Sequence, residues 1–221
     1  MQKLPETAKT GETAPRGRGR PRAFDRRKAL DQATRLFWEK GFEATSIADL
    51  TEAMGIGAPS LYAAFGPKEA LYAQALHHYG ETNEHFVWSG FFAAPTAREA
   101  VRSLLMDSAA ALTGCLADNP RGCMVALSNV GSEGHADLCE LVRGARAVAL
   151  ERLTARLNQA VAEGELPGAT DVHALARFVQ TVQTGMSIPA RDGASRAELE
   201  AVAGVAMLGW DARLAGTGAD A

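Results

Sequence analysis

The sequence predicts an all-α protein of about nine helices, in which a small three-helix domain precedes a larger helical domain. Apolar residues recur at helical spacing along most of the chain, and no convincing segment alternates with the period of two that marks a strand. Glycine and proline interrupt these stripes where helices would end. With 221 residues, 47% of them hydrophobic, the chain can bury both cores.

Composition divides the chain into four stretches. Residues 1–22 are predicted to be a disordered basic arm, 23–83 the small domain, 84–216 the larger domain and 217–221 a tail. Residues 1–68 carry 12 basic and 8 acidic side chains, whereas residues 69–221 carry 11 and 18. This asymmetry indicates that the N-terminal part attracts phosphate.

Residues 45–68 predict two short helices joined by a tight turn, with another helix starting at once. Ser46 and Asp49 form an acidic capping box at the first of these helices, and Gly55 ends it in the left-handed conformation. Pro59 suits the first turn of the next helix. Residues 46–65 therefore predict a helix-turn-helix, whose second helix enters a major groove of DNA.

The flanking residues make this motif specific. Residues 33–50 read ATRLFWEKGFEATSIADL and residues 60–71 read SLYAAFGPKEAL. Together they closely resemble the DNA-binding domain of the TetR/AcrR family of one-component repressors. The resemblance implies an all-α regulatory domain, a dimer on a palindromic operator, and release of that double-stranded DNA by a small-molecule effector.

The resemblance also implies DNA contacts. Tyr62 and Lys68 match positions that meet backbone phosphates, and a cation at a helix start makes sense beside a bound phosphate. Thr45 and Ser46 are further candidates, although ordinary capping explains them equally well. Base contacts would fall to a short, mostly apolar set that suits thymine methyl groups: Gly57, Ala58, Pro59 and Ser60.

The basic arm has its own candidate role. Residues 16–28 hold seven basic residues against one acidic residue. The repeated Arg-Gly pattern resembles minor-groove hooks, whose arginines enter a narrow A·T-rich groove. The alternative is a solvated tail. The candidate arginines are Arg16, Arg18, Arg20 and Arg22.

Apolar stripes, and the residues that interrupt them, predict the helices of the larger domain. The fourth helix should run to about His85, where the aromatic segment 86–95 ends it, and Thr96 should cap a helix through Leu116. A short apolar segment at 123–130 precedes the longest helix, at 135–163. Residues 171–188 and 195–214 form a final pair, separated by 189–193.

The last helix carries an argument for dimerisation. Ten consecutive residues, 201–210, are apolar or glycine, so this helix would be buried on every side. It is either a well-buried core helix or part of a two-fold four-helix interface, which is where relatives dimerise. The predicted interface residues are Leu175, Phe178, Val179, Val182, Val202, Ala203 and Ala206.

Aromatic and methionine residues of the middle helices are candidates for the effector cavity that the resemblance implies. Few charges fall in these stretches, which favours a largely apolar effector. Each candidate could equally be a plain core residue. They are Trp88, Phe91, Phe92, Met106, Cys123, Met124, Phe178 and Met186.

Three cysteines, odd in number and without a C-x-x-C spacing, suit a reducing cytoplasm. Cys123 follows Arg121 at a predicted helix start, which would favour a reactive thiolate and hence a thiol-based electrophile or redox sensor. A buried inert thiol is the alternative. A cysteine hydrolase would need Cys123, His135 and Asp137 together, which nothing in the sequence indicates.

A regulator without an effector is a further alternative, which a sizeable cavity in the larger domain would argue against. No cofactor, metal site or enzymatic activity is predicted. No apolar run reaches the ~18 residues of a membrane helix, so no membrane partner is expected.

Overall fold

The computed structural model describes residues 24–130 and 134–217, and all regular elements in these residues are helices, as the sequence predicts. The predicted arm arginines, Arg16, Arg18, Arg20 and Arg22, lie outside the described residues. Within the described ranges, no helix is both long and apolar enough to cross a lipid bilayer. In chain order the helices are α1 (Arg26–Lys40), α2 (Ile47–Met54), α3 (Ala58–Phe65), α4 (Lys68–Ala93), α5 (Ala97–Leu112), α6 (Met124–Leu127), α7 (Ala136–Ala162), α8 (Val172–Gly185), α9 (Ser187–Arg191) and α10 (Arg196–Thr217).

The N-terminal helices form a small head whose ends follow the local signals. Asp25 caps α1, and Ser46 and Asp49 form the predicted capping box of α2. Gly55 ends α2 with φ 66°, a left-handed conformation that glycine adopts without a steric penalty. The head core is built mainly from buried side chains of α1–α4 and the α1–α2 connection, among them Phe37, Phe42, Leu50, Leu61 and Tyr72, and α6 and α7 add buried side chains to it.

Helix α4 belongs to both parts of the molecule. Leu71 and Tyr72 lie in the head core, whereas Trp88 and Phe91 lie in the core of the larger domain. The prediction that α4 ends near His85 is therefore wrong. Gly90 faces α5 so closely that a β-carbon there would overlap α5 side chains. That glycine serves close packing, and α4 continues past it to Ala93.

Other predicted boundaries shift for similar local reasons. Helix α5 ends at Leu112 instead of Leu116, because Gly114 turns left-handed with φ 74° and Cys115 N–H donates back to the Ala110 carbonyl. The predicted break at 189–193 overlaps α9, which continues almost directly from α8. The longest described helix is α7, as predicted.

Helix α10 is not buried on every side. Ala203 and Ala206 face inward, with 1% and 6% exposure, and belong to the core of the larger domain. Val202, Val205 and Leu208 face outward with 45%, 69% and 70% exposure. Leu175 and Val179 of α8 are also buried within the protomer. Four of the seven predicted interface residues have side chains that pack inside one chain, which leaves them little surface for a partner: Leu175, Val179, Ala203 and Ala206.

Candidate nucleic-acid interface and sensor cavity

The outer face of α3 is the candidate reading face, defined here as Gly57, Pro59, Ser60 and Tyr62. Leu61 and Phe65 anchor α3 in the head core, so these four residues, spaced around the opposite side, are exposed. Ala58 is half-buried. Tyr62 is 49% exposed and presents its phenol at the edge of this face. Such a face offers apolar contacts to thymine methyl groups and two hydroxyls. It has no side chain that makes a bidentate hydrogen bond to a base.

The start of α2 corrects one predicted phosphate contact. Thr45 is fully buried, and its hydroxyl donates to the Gly41 carbonyl at 2.6 Å, so it caps the preceding turn. Ser46 is exposed, but its hydroxyl donates to Asp49 Oδ2 at 2.7 Å. Hydrogen bonds from Lys40 and then Ser46 hold the pKa of Asp49 well below its ordinary value. A fixed carboxylate therefore occupies the α2 N-terminus, where a phosphate would otherwise be attracted.

Lys68 is the first residue of α4, as predicted, and it has a second explanation. Its ammonium lies 4.3 Å from the centroid of the Phe42 ring, a cation–π distance. Pro67, the preceding residue, provides no side-chain cap, so the first amides of α4 have no side-chain acceptor from that position. Lys68 is thus held beside a helix start, the arrangement that binds phosphate.

A cavity of about 290 Å³ lies in the larger domain, beside the head. It is lined by residues of α1, α4, α5, α6, α7, α8 and α9 and by the 116–123 connection. Two of the predicted cavity residues, Trp88 and Cys123, line it. Several lining residues were not predicted, because they come from segments far apart in sequence with no common motif: Trp38, Tyr79, Glu84, Arg146, Arg152, Gln183 and Ser187.

The other six predicted cavity residues lie elsewhere. Phe91 and Met186 are buried in the core of the larger domain, and Met106 packs against that core. Met124 belongs to the head core. Phe92 is 61% exposed, and Phe178 lines a separate groove between α8 and α10. Residue type identified apolar side chains correctly but did not determine which of them border empty space.

The cavity contains charged side chains, which the sequence pattern did not predict there. Arg152 forms an ion pair with Glu84 at 2.6 Å and lies 5.0 Å from the centroid of the Trp88 ring. Arg146 donates to the carbonyl oxygens of Val125 at 3.1 Å and of Ser128. The lining is largely apolar, and both of these arginines already contact protein groups.

Tyr79 and Cys123 form a polar contact on the cavity wall. The Tyr79 hydroxyl donates to Cys123 Sγ at 3.4 Å, and the Ala126 amide donates to the same sulfur at 3.5 Å. Burial, with the Cys123 thiol as neighbour, raises the pKa of Tyr79 well above its ordinary value, so Tyr79 is a neutral donor. The sequence suggested that Arg121 would favour a Cys123 thiolate, but its side chain points to the carbonyls of Ala190 and Ala194.

Hydrogen bonds join the cavity wall to the head. Trp38 Nε1, from α1, donates to the Gly122 carbonyl at 3.0 Å, next to Cys123. Arg191 of α9 donates to the Trp38 carbonyl at 2.8 Å and to the Arg121 carbonyl at 2.9 Å. The last turn of α1 is therefore bonded to the 121–122 segment, and Gly122 itself lines the cavity.

The structure gives Cys123 and His135 different partners. Cys123 contacts Tyr79 and Ala126, whereas the His135 ring lies 5.0 Å from the Phe42 ring centroid and 3.8 Å from a Glu69 carboxylate oxygen. A thiol nucleophile needs its base within hydrogen-bond reach. This arrangement gives the hydrolase alternative no support.

A three-helix head with an exposed recognition helix, fused to a helical body with a cavity, defines a helix-turn-helix regulator. Comparison with known proteins gives the same class. The family model described as "Bacterial regulatory proteins, tetR family" matches residues 29–75. The transcriptional repressor ComR of Escherichia coli K12 is 39% identical over 182 residues, covering 81% of this chain and 85% of ComR. This chain belongs to the TetR family.

Solved structures agree with that assignment. A cysteine variant of the TetR-family regulator CifR, complexed with 26-bp double-strand operator DNA, superposes with a TM-score of 0.80 at 39% identity. The match covers 86% of this chain and 98% of that chain. AibR, in complex with isovaleryl coenzyme A and operator DNA, superposes with a TM-score of 0.63 at 17% identity. That match covers 83% of this chain and 96% of the AibR chain, and it shows a shared fold.

Proposed function

We propose that this protein is a transcriptional repressor that binds a palindromic operator as a homodimer and is released when a small molecule enters the cavity. The observation that carries this proposal is the course of α4. Lys68, at its first residue, flanks the candidate reading face, and Trp88, near its other end, lines the cavity. One rigid helix thus connects a DNA-contacting surface with a ligand-sized space. We infer that it acts in the cytoplasm, where its operator DNA would lie.

Operator binding is supported by the head. Gly57, Pro59 and Ser60 of the exposed reading face supply contacts to bases. Tyr62, at the edge of that face, and Lys68 supply contacts to phosphates. Ser46 is a weaker phosphate contact, since its hydroxyl proton is donated to Asp49. The family relationship and the operator complex of CifR favour the same docking of α3 in the major groove. Arg16, Arg18, Arg20 and Arg22 would then reach the adjacent minor groove.

Dimerisation is supported by the exposed apolar stripe of α10, defined as Val202, Val205 and Leu208. Phe178 of α8 lies beside it, 39% exposed and next to Gly209. Large apolar side chains at such spacing on one helix face mark an interaction surface. A two-fold partner would cover the stripe with its own copy and bring two reading heads to the two half-sites. Val182, half-buried on α8, remains a candidate at the edge of this interface.

Release is supported by the bonded contacts between cavity and head. A ligand shifts the equilibrium only if it binds the DNA-free arrangement better than the DNA-bound one. Tilting α4, or displacing Gly122 from Trp38, would alter the spacing of the two heads. About 1.4 kcal/mol of differential affinity suffices for tenfold release. The sizeable cavity favours this mechanism over a regulator without an effector.

A thiol trigger is the second candidate, favoured by the position of Cys123. This cysteine lines the cavity and is half-buried, and Cys115 is exposed. An electrophile entering the cavity would meet Cys123 directly. Its adduct would then occupy the cavity and displace the adjoining Gly122 carbonyl.

Fluorescence anisotropy with the protein's own promoter DNA tests the proposal. We expect a bound dimer whose operator affinity falls at least tenfold with a cavity ligand found by thermal-shift screening of metabolites and electrophiles. Trp88→Ala should leave operator affinity near normal while weakening release. A stable monomer with full operator affinity would contradict the dimer, and a cavity ligand without effect on DNA binding would contradict the sensor.

A further inference from the structure

The charges that line the cavity do not cancel. Among the described residues of the lining, the formally charged side chains are those of Glu84, Arg146 and Arg152. Arg152 and Glu84 form an ion pair at 2.6 Å, so they neutralise each other. Arg146 contacts no carboxylate in the part of the chain that the structure describes. The lining is therefore left with one unbalanced positive charge.

Neutral groups hold Arg146 in place. Its Nε donates to the Val125 carbonyl at 3.1 Å, and its Nη2 donates to the carbonyls of Ala126, at 3.4 Å, and Ser128. These carbonyls lie at the end of α6, and they orient the guanidinium without neutralising it. Nη1, which carries two N–H groups, donates to no atom of the described residues. An oriented guanidinium with a free nitrogen is a binding group for an anion.

Arg146 is accessible to a ligand. It is an exposed residue that also borders the cavity, so a molecule there can reach its side chain without displacing protein groups. Water also reaches this arginine, which lowers both the desolvation cost of pairing it with an anion and the strength of the attraction. The expected gain is therefore that of a partly solvated ion pair, not of a buried one.

We propose that the cavity takes a monocarboxylate with an apolar body, whose carboxylate pairs with Arg146. One unbalanced positive charge favours a monoanion, whereas a doubly charged anion would keep one charge uncompensated. A ~150 Å³ cavity holds benzene, so the 290 Å³ here accommodate a body of about two fused rings. This inference rests on the proposed function, since it names the effector class of the same cavity. The body would lie against the apolar part of the lining, which includes Leu76, Val87, Trp88, Leu112 and Ala149.

Three probes on one skeleton test the charge preference: 2-naphthoate, its neutral amide 2-naphthamide, and the cation 2-naphthylmethylammonium. Binding to the full chain is measured by calorimetry. We expect the carboxylate to bind most tightly and the cation most weakly, because only the carboxylate balances the lining. Equal affinity for the carboxylate and the amide, a preference for the cation, or no binding of the carboxylate would overturn the proposal.

Variants of α7 test the role of Arg146. Arg146→Gln should weaken 2-naphthoate about fivefold to tenfold, between the effect of an exposed ion pair and that of a charge-assisted hydrogen bond, and leave 2-naphthamide within about twofold. Arg146→Lys keeps the charge and should lose less. Arg143→Gln removes an exposed arginine of the same helix outside the cavity, so it is the matched control and should change neither affinity. Equal losses in Arg146→Gln and Arg143→Gln would overturn Arg146 as the binding group.

Glu84→Gln tests the same charge balance and leaves the contacts of Arg146 with α6 intact. Removing this carboxylate frees Arg152, so 2-naphthoate should bind about twofold to fivefold more tightly. This variant keeps the proposal testable if Arg146→Gln lowers the melting temperature by releasing the end of α6. Unchanged or weaker binding of 2-naphthoate to Glu84→Gln would contradict the proposed charge preference.

Operator release separates this inference from the function it rests on. If 2-naphthoate binds through Arg146 but leaves operator affinity unchanged in anisotropy, the ligand class stands and the sensor role fails. If 2-naphthoate below saturation releases operator equally well from wild type and Arg146→Gln, the sensor role stands and the pairing with Arg146 fails.

Discussion

Arg191 and Trp38 are hydrogen-bonded through the Trp38 carbonyl at 2.8 Å, although 153 residues separate them in the chain. The same guanidinium donates to the Arg121 carbonyl, and Trp38 Nε1 donates to the neighbouring Gly122 carbonyl. The end of α1 and the cavity wall are therefore held by one arginine and one indole. These hydrogen bonds are the contacts through which we expect a movement of the wall to reach the head.

Arg191→Ala should weaken this connection. Hydrogen bonds from a charged donor contribute about 1.5–3 kcal/mol, so we expect the free energy of unfolding to fall by about 1–3 kcal/mol in chemical denaturation. The effector should still bind the cavity of this variant, but it should lower operator affinity less than it does in the wild type. Arg196→Ala, which removes an exposed pair with Glu200, is the control and should change neither property. Undiminished release from Arg191→Ala would show that α4 alone transmits the signal.

Charges on the α10 stripe should dissociate the proposed dimer. Val205→Glu and Leu208→Glu place carboxylates on an exposed apolar face, so sedimentation velocity should show monomers with near-normal melting temperature and lost operator binding. Ala203→Glu instead buries a charge inside the protomer and should unfold it. Leu141→Glu, at an exposed apolar position of α7, is the control. A persistent dimer in both stripe variants would exclude this face as the interface.

Lys68 and Tyr62 should differ in the salt dependence of operator binding. Lys68→Ala should weaken binding to specific and random duplexes alike, and should reduce the slope of log K against log salt by about one. Tyr62→Phe should weaken both duplexes with the slope unchanged, because it removes a neutral donor. If Lys68→Ala keeps the wild-type slope, the ammonium serves only its contact with Phe42.

Asp49 should make head stability depend on pH. Hydrogen bonds from Lys40 and Ser46 lower its pKa in the folded state, so its stabilising contribution is complete above the unfolded value of about 3.9. That contribution is lost as pH falls below this value towards the folded pKa. The difference in melting temperature between wild type and Asp49→Ala should therefore shrink as the pH is lowered from about 5 to about 3, a range that spans the unfolded pKa. Glu52→Ala, an exposed neighbour, should show no such trend, and a constant difference for Asp49→Ala would mean that its charge is unimportant.

Cys123→Ser separates the two triggers. If thiol modification releases the operator, this variant should lose release by thiol-reactive compounds and retain release by non-reactive effectors, as measured by anisotropy. Cys115→Ser, which alters an exposed thiol, should behave as wild type. Normal release of Cys123→Ser by electrophiles would exclude Cys123 as the trigger.

Local chemistry in the sequence determined the helical class, the head and most helix starts. The capping box of Ser46 and Asp49 and the left-handed turn at Gly55 depend on residues only a few positions apart, so each is predictable without knowledge of the rest of the chain. Gly90 and Gly114 show the limit of such signals. Gly90 lies within α4 at its crossing with α5, whereas Gly114 ends α5. Both are glycines in an apolar stretch, and only the neighbouring helix shows that the first serves close packing and not a helix end.

Tertiary structure alone decided the proposed dimer face and the cavity. Residues 201–210 contain no polar side chain to mark an outer surface, so packing against α5 and α8 determines that Ala203 faces inward and Val205 outward. The cavity likewise collects Trp38, Trp88 and Ser187 from three distant segments. Sequence periodicity shows which side chains avoid water, but whether a side chain borders protein or empty space depends on how separate helices cross.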